Sequence, residues 1–139
     1  MPVSFRILRD RGLVYVRYWG FAGAEESKRA FAAYMQHPDC RPGQRHLVDM
    51  SDITESDMDF TNLMALQALK ADLFVGRPEQ TLLVYLAPNE AARRMARTVL
   101  RSWESFDHVS ARVAETEAQA LALLGEPERQ IADLLADAG

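Results

Sequence analysis

Five carboxylates, Asp49, Asp52, Glu55, Asp57 and Asp59, crowd one short segment, and Ser56 lies among them. Oxygen ligands of this kind suit Mg²⁺, and the segment follows an apolar run at the C-terminal end of a strand, where open α/β sheets bind ligands. The spacing does not favour a metal. Asp49 and Asp52 are three apart, not two as in aspartyl phosphotransferases, and no EF-hand glycine or terminal bidentate glutamate follows. Capping and solvation come first for these acids, since carboxylates are favoured near a helix N-terminus. Contact with a partner through Asp52, Glu55 and Asp57 comes second.

A second charged group has the opposite sign. Arg93, Arg97 and Arg101 recur every four residues with Arg94 beside them, a basic stripe along one helix face. Arginine forks suit carboxylates and phosphates, and Glu90 stands four residues before Arg94 as a ready ion-pair partner. A salt-bridged, solvated face is the plain reading, and an acidic partner or second subunit the functional one. His37, His46 and His108 are dispersed, with none at metal-ligand spacing from Cys40. No nucleophile elbow, P-loop or dinucleotide glycine pattern occurs. Catalysis needs a base, a nucleophile and an oxyanion or metal partner in mutual reach. The sequence offers acids alone, so neither an enzyme nor a cofactor nor a metal site is expected.

The elements that must hold these residues alternate. Val3 to Leu8 and Leu13 to Trp19 are rich in β-branched and aromatic residues, and Arg9-Asp10-Arg11-Gly12 makes a hairpin turn between them. Ala24 to Gln36 is an amphipathic helix, and Pro38, Pro42 and Gly43 break structure before a buried strand, His46 to Met50. Ser56, followed by Asp59, is placed to cap a second helix that Gly76 and Pro78 stop. Thr81 to Leu86 is apolar at nearly every position, as in a strand covered on both faces. Asn89 caps a third helix, Glu90 to Ser105, with Ala92, Met95, Ala96, Val99, Leu100 and Trp103 at helical spacing. Val109 to Val113 is a last strand, Thr116 and Gln119 form a capping box for a helix through Leu124, and a short helix follows within 127–137. The order is ββαβαβαβα, an α/β chain with a mostly parallel sheet and one antiparallel edge strand.

At 139 residues the chain fits one domain, its core over about 3–124. With 48% hydrophobic and 26% charged residues it can bury a core without disulfides. Arg6, Arg9, Asp10 and Arg11 interrupt the apolar stretch a signal peptide needs, no membrane span is visible, and lone Cys40 in Pro-Asp-Cys-Arg-Pro-Gly suits a reducing compartment. A soluble, cytoplasmic chain is expected. The net charge of −4 argues against nucleic acid and anionic membrane as partners.

The order of elements, the segment Leu47-Val48-Asp49-Met50-Ser51-Asp52-Ile53-Thr54 and the ending Glu115-Thr116-Glu117-Ala118-Gln119-Ala120-Leu121-Ala122-Leu123-Leu124 carry a resemblance. Over roughly residues 3–124 the chain resembles a STAS-type domain of the anti-sigma-factor antagonist (SpoIIAA-like) fold, and is similar to uncharacterised bacterial STAS/Sec14-like proteins. The resemblance implies a β/α superhelix that docks partners or holds an apolar ligand. In phosphorylated antagonists an Asp-Ser-Ser-Gly-like motif carries the switch serine. Here the corresponding stretch is Thr54-Glu55-Ser56-Asp57-Met58-Asp59, which lacks the glycine. Asp57 and Asp59 would repel a phosphate on Ser56.

Two functions follow as expectations. One is a non-enzymatic regulatory or docking module, most simply a homodimer, using Asp52, Glu55, Asp57, Arg93, Arg94, Arg97 and Arg101. The alternative is a binder of a small apolar, lipid-like ligand between helices and sheet. Met64 and Met95 would face that pocket, with Trp19 and Phe21 at its mouth, although aromatics leaving a strand are more often plain core.

Overall fold

The computed structural model describes residues 2–57, 59–74, 80–104 and 106–137. Among these residues five strands form one sheet in the order β1-β2-β3-β4-β5: β1 is Val3–Leu8, β2 Leu13–Ala22, β3 Arg45–Ser56, β4 Thr81–Leu86 and β5 Val109–Ala114. The helices are α1 Ala24–Gln36, α2 Phe60–Phe74, α3 Glu90–Trp103, α4 Glu117–Leu123 and α5 Ile131–Asp137. β1 and β2 are antiparallel and all later pairs are parallel, so the α/β architecture with one antiparallel edge stands as expected. Among the described residues, no helix is long and apolar enough to cross a membrane.

Successive strand side chains point to opposite faces, and the sheet buries both. Because β2 to β5 advance in one direction, right-handed crossovers put α1, α2 and α3 on one face. There Tyr18, Val48, Met50, Leu83 and Tyr85 of the strands meet Leu63 and Leu66 of α2 and Met95, Val99 and Trp103 of α3. On the other face Tyr15, Leu47, Val84 and Leu86 pack against Ala120 and Leu121 of α4 and Ile131 and Leu134 of α5. The C-terminal apolar stripe is therefore buried on its own domain.

Charge pins this second layer down. The Arg11 guanidinium donates to Glu126 at 2.8 Å and to both oxygens of Glu128 at 2.7 and 2.9 Å. Arg45 donates to Glu126 at 2.8 Å, to the Arg11 carbonyl at 2.6 Å and to the Leu124 carbonyl. The β1–β2 turn, the start of β3 and the segment between α4 and α5 are thus joined at one corner.

Two boundaries differ from the sequence reading. Short β3 becomes a twelve-residue strand, because β2 also runs on to Ala22 and pairs with it beyond the point where β4 stops. Ile53 is buried in this extension. Consequently Ser56 ends a strand and does not cap α2. Asp59 does so: its Oδ1 accepts from the Asn62 N–H at 2.8 Å. Asp57 serves a different helix, accepting from the Ala24 N–H at the start of α1 at 2.9 Å.

The β2–β3 extension shifts register on either side of the Trp19-Gly20 pair, and Gly20 has φ +64°. A Cβ there would meet no atom within 4 Å, so only the left-handed backbone resists a side chain. Gly20→Ala is expected to lower stability by about 1–2 kcal/mol, read as a lower urea midpoint at unchanged slope. Gly20→Asn should lose less, because asparagine tolerates that conformation better.

Candidate functional site

Between the sheet and α1–α3 the packing leaves a cavity. Its floor carries short β-branched side chains, Val14 and Val16 of β2 and Val48 of β3, and α1 faces them with Ser27 and Ala30. Small residues opposite small residues leave the gap unfilled, unlike the close packing usual in a core. The space amounts to about 770 Å³ including its open mouth, yet the centre of a water-sized sphere ranges over only about 70 Å³ of it. The cavity is therefore slender, though roomy enough for several waters or a narrow organic chain.

Most of the lining is apolar, and most polar groups reaching it are engaged. Ser27 Oγ donates to the Gly23 carbonyl at 2.9 Å, so the Tyr18 hydroxyl, 2.9 Å away, donates to Ser27. Tyr34 donates to Gln44 Oε1 at 2.5 Å. Tyr85 accepts from Trp103 Nε1 at 2.9 Å. Burial raises the pKa of all three phenols, which keeps them neutral.

Three other groups define a polar end. His46, at the start of β3, meets Tyr34 edge-on at 5.4 Å between ring centroids. Gln67, only 1% exposed, donates through Nε2 to Ser102 Oγ at 3.1 Å, while its Oε1 has no hydrogen-bond partner. Lys70, half-buried one turn further along α2, holds its ammonium 5.9 Å from the centroid of the Phe31 ring. Burial lowers the Lys70 pKa to about 8, and burial with the nearby Lys70 charge lowers that of His46 to about 3.

Of the pocket residues expected from sequence, Met95 lines this cavity. Trp19, Phe21 and Met64 are not among its lining residues: Arg17 stacks on the Trp19 ring at 5.0 Å, and Phe21 is 48% exposed at the end of β2. Gln67, Lys70 and His46 were missed. A signal existed, for Gln67 and Lys70 continue the Leu63, Leu66 spacing of α2's inner face, and a polar residue on such a face asks for a partner.

The charged surfaces are largely satisfied within the chain. Asp49, 9% exposed, accepts from Tyr15 at 2.7 Å and from the Ser51 N–H and hydroxyl at 3.0 and 2.6 Å, on the face away from the cavity. Asp52 pairs with Arg17 at 2.9 Å. Glu55 and Ser56 are exposed at the end of β3. Alternation along the strand separates the acids, and among the described residues no three His, Cys, Asp or Glu side chains are placed to hold a metal ion. On α3, Glu90 is shared by Arg93, Arg94 and Arg97 at 3.6, 4.0 and 3.4 Å, and Arg101 lies exposed further along.

The two lowered pKa values act in the same direction, in different pH windows. His46 binds a proton far less readily folded than unfolded, so stability rises with pH between about 3 and 6.5 and falls on acidification. Lys70 likewise makes stability rise between about 8 and 10.5 as its uncharged form fills the folded state. Comparing wild type with His46→Phe by urea titration, the variant is expected to lose about 2 kcal/mol less than wild type between pH 7 and pH 5. Equal losses would show that His46 is not held neutral.

No family model, curated protein or solved structure matches this chain at a significant level.

Proposed function

We propose that the chain is a non-enzymatic binding protein, on a STAS-type scaffold, that holds a small, slender, largely apolar molecule between its sheet and α1–α3. The observation that carries this reading is the cavity, with apolar walls and an unsatisfied buried acceptor, Gln67 Oε1. Buried polar atoms are nearly always hydrogen-bonded, so an acceptor without a donor in the wall of a largely apolar cavity favours a binding site over plain core. The element order and the antiparallel edge are compatible with the STAS-type scaffold.

Docking to a protein partner, or to a second copy as a homodimer, is the second reading, favoured by one observation. A single Glu90 serves three arginines, and Arg94 and Arg97 keep 69% and 65% side-chain exposure, so the α3 face retains net positive charge. That suits an acidic surface. The acidic end of β3 offers less, since Asp52 and Asp57 are already engaged with Arg17 and the start of α1.

The two readings separate on one substitution. Ala30→Leu places three more carbons in the cavity and is expected to stabilise the folded chain by about 1–2 kcal/mol. Added 1-decanol, at about ten times its Kd, should raise the Tm of wild type by about 5 °C and leave that of Ala30→Leu unchanged. Absence of a shift in wild type, or an equal shift in both proteins, would overturn the cavity reading. Reversing Arg93, Arg97 and Arg101 to glutamate should not alter the shift.

A further inference from the structure

The polar end of the cavity specifies more than an apolar ligand. Lys70 is a single cation among the cavity's lining residues, and among the described residues no carboxylate lies within ion-pair distance of it; its ammonium lies over the Phe31 ring. A half-buried ammonium held against an aromatic face is poorly compensated, and one anion would compensate it. A singly charged group matches it, whereas a phosphate would call for further donors, such as the forks of arginine.

Gln67 adds a second requirement. Ser102 gives its hydroxyl proton to the Val99 carbonyl at 2.6 Å, so Ser102 Oγ can only accept, and only the amide nitrogen of Gln67 can serve it. Flipping the amide would set two acceptors against each other. The orientation is thereby fixed, and Oε1 remains a buried acceptor without a donor. Gln67 and Lys70 stand three apart on one helix face, about 5–6 Å between Cβ atoms. Their head groups diverge from there, Gln67 toward Ser102 on α3 and Lys70 toward Phe31 on α1, so a ligand that answers both carries an acid with a hydrogen-bond donor a few atoms away.

Beyond this end, the lining runs along β3 from His46 to Met50, a span of about 13 Å at strand rise, with Leu63 and Met95 facing it. We infer that the ligand is a slender hydroxy carboxylic acid: its carboxylate pairs with Lys70, its nearby hydroxyl donates to Gln67 Oε1, and its hydrocarbon chain lies along β3 toward Met50. This deepens the proposed function and rests on the cavity being a ligand site.

Calorimetric titration of the folded chain at pH 7 with 1-decanol, decanoate and 3-hydroxydecanoate tests it. Decanoate is expected to bind about tenfold tighter than decanol, and 3-hydroxydecanoate about tenfold tighter again, each step being one added polar contact. Lys70→Met should abolish the preference of acid over alcohol while keeping decanol binding. Gln67→Leu should abolish the preference for the hydroxyl while keeping decanoate binding. Decanol binding as tightly as decanoate in wild type, or a hydroxyl preference that survives Gln67→Leu, would overturn the hydroxy-acid assignment and leave the apolar cavity standing. If none of the three compounds binds, the cavity reading falls with it.

Discussion

Strand β3 lies between β2 and β4, with helices over both faces, and its alternation decides what each layer contains. His46, Val48 and Met50 face α1–α3, and Leu47 and Asp49 face the other way. A slip of one residue would exchange the two sets. It would put Asp49 among the apolar side chains of the cavity, away from Tyr15 of β2, whose hydroxyl donates to it. The cost of an unpartnered buried carboxylate is several kcal/mol, so register, core and cavity are specified together. The parallel pairing Val14 to His46 and Val16 to Val48 brings the short residues side by side, and the cavity follows from their size.

Most of the scaffold was legible because its signals are local. Asn89 caps α3 by accepting from the Ala92 N–H, and Thr116 caps α4 by accepting from the Gln119 N–H, as their positions in the sequence implied. The end of β3 was not legible. Met50 to Ser56 has no simple alternation, and its strand character comes from pairing with β2 across an irregular register, a partner that local pattern does not reveal. Acids that look like one cluster along the chain are consequently dispersed: Asp49 inward with Tyr15, Asp52 with Arg17, Asp57 on α1 and Asp59 on α2.

The candidate site was legible only in part, for a reason of scale. The placement of an apolar pocket between α2, α3 and the sheet, and of Met95 in it, follows from amphipathic faces. Which polar residues enter it depends on contacts among three helices. His46 reads as a strand-end residue until Tyr34 is seen against it, and Gln67 reads as a minor break in an apolar arc until Ser102 is seen to fix its amide. Trp19 and Phe21 are large enough to line a pocket, yet neither lines the cavity: Arg17 lies over the Trp19 ring, and Phe21 is exposed near the end of β2.

The corner where Arg11 and Arg45 hold Glu126 and Glu128 also sets an order of events during synthesis. Arg11 leaves the ribosome 115 residues ahead of Glu126. Until the later segment emerges, the strip formed by Leu47, Val84 and Leu86 has no cover from α4 or α5. The described residues that line the cavity precede position 100, and β5, which completes their face, ends at Ala114 ahead of α4, so that face can close on a nascent chain whose opposite face is still open. A chain stalled or cut ahead of α4 would present a complete binding layer on a sheet with an exposed apolar back, a form prone to association with its neighbours.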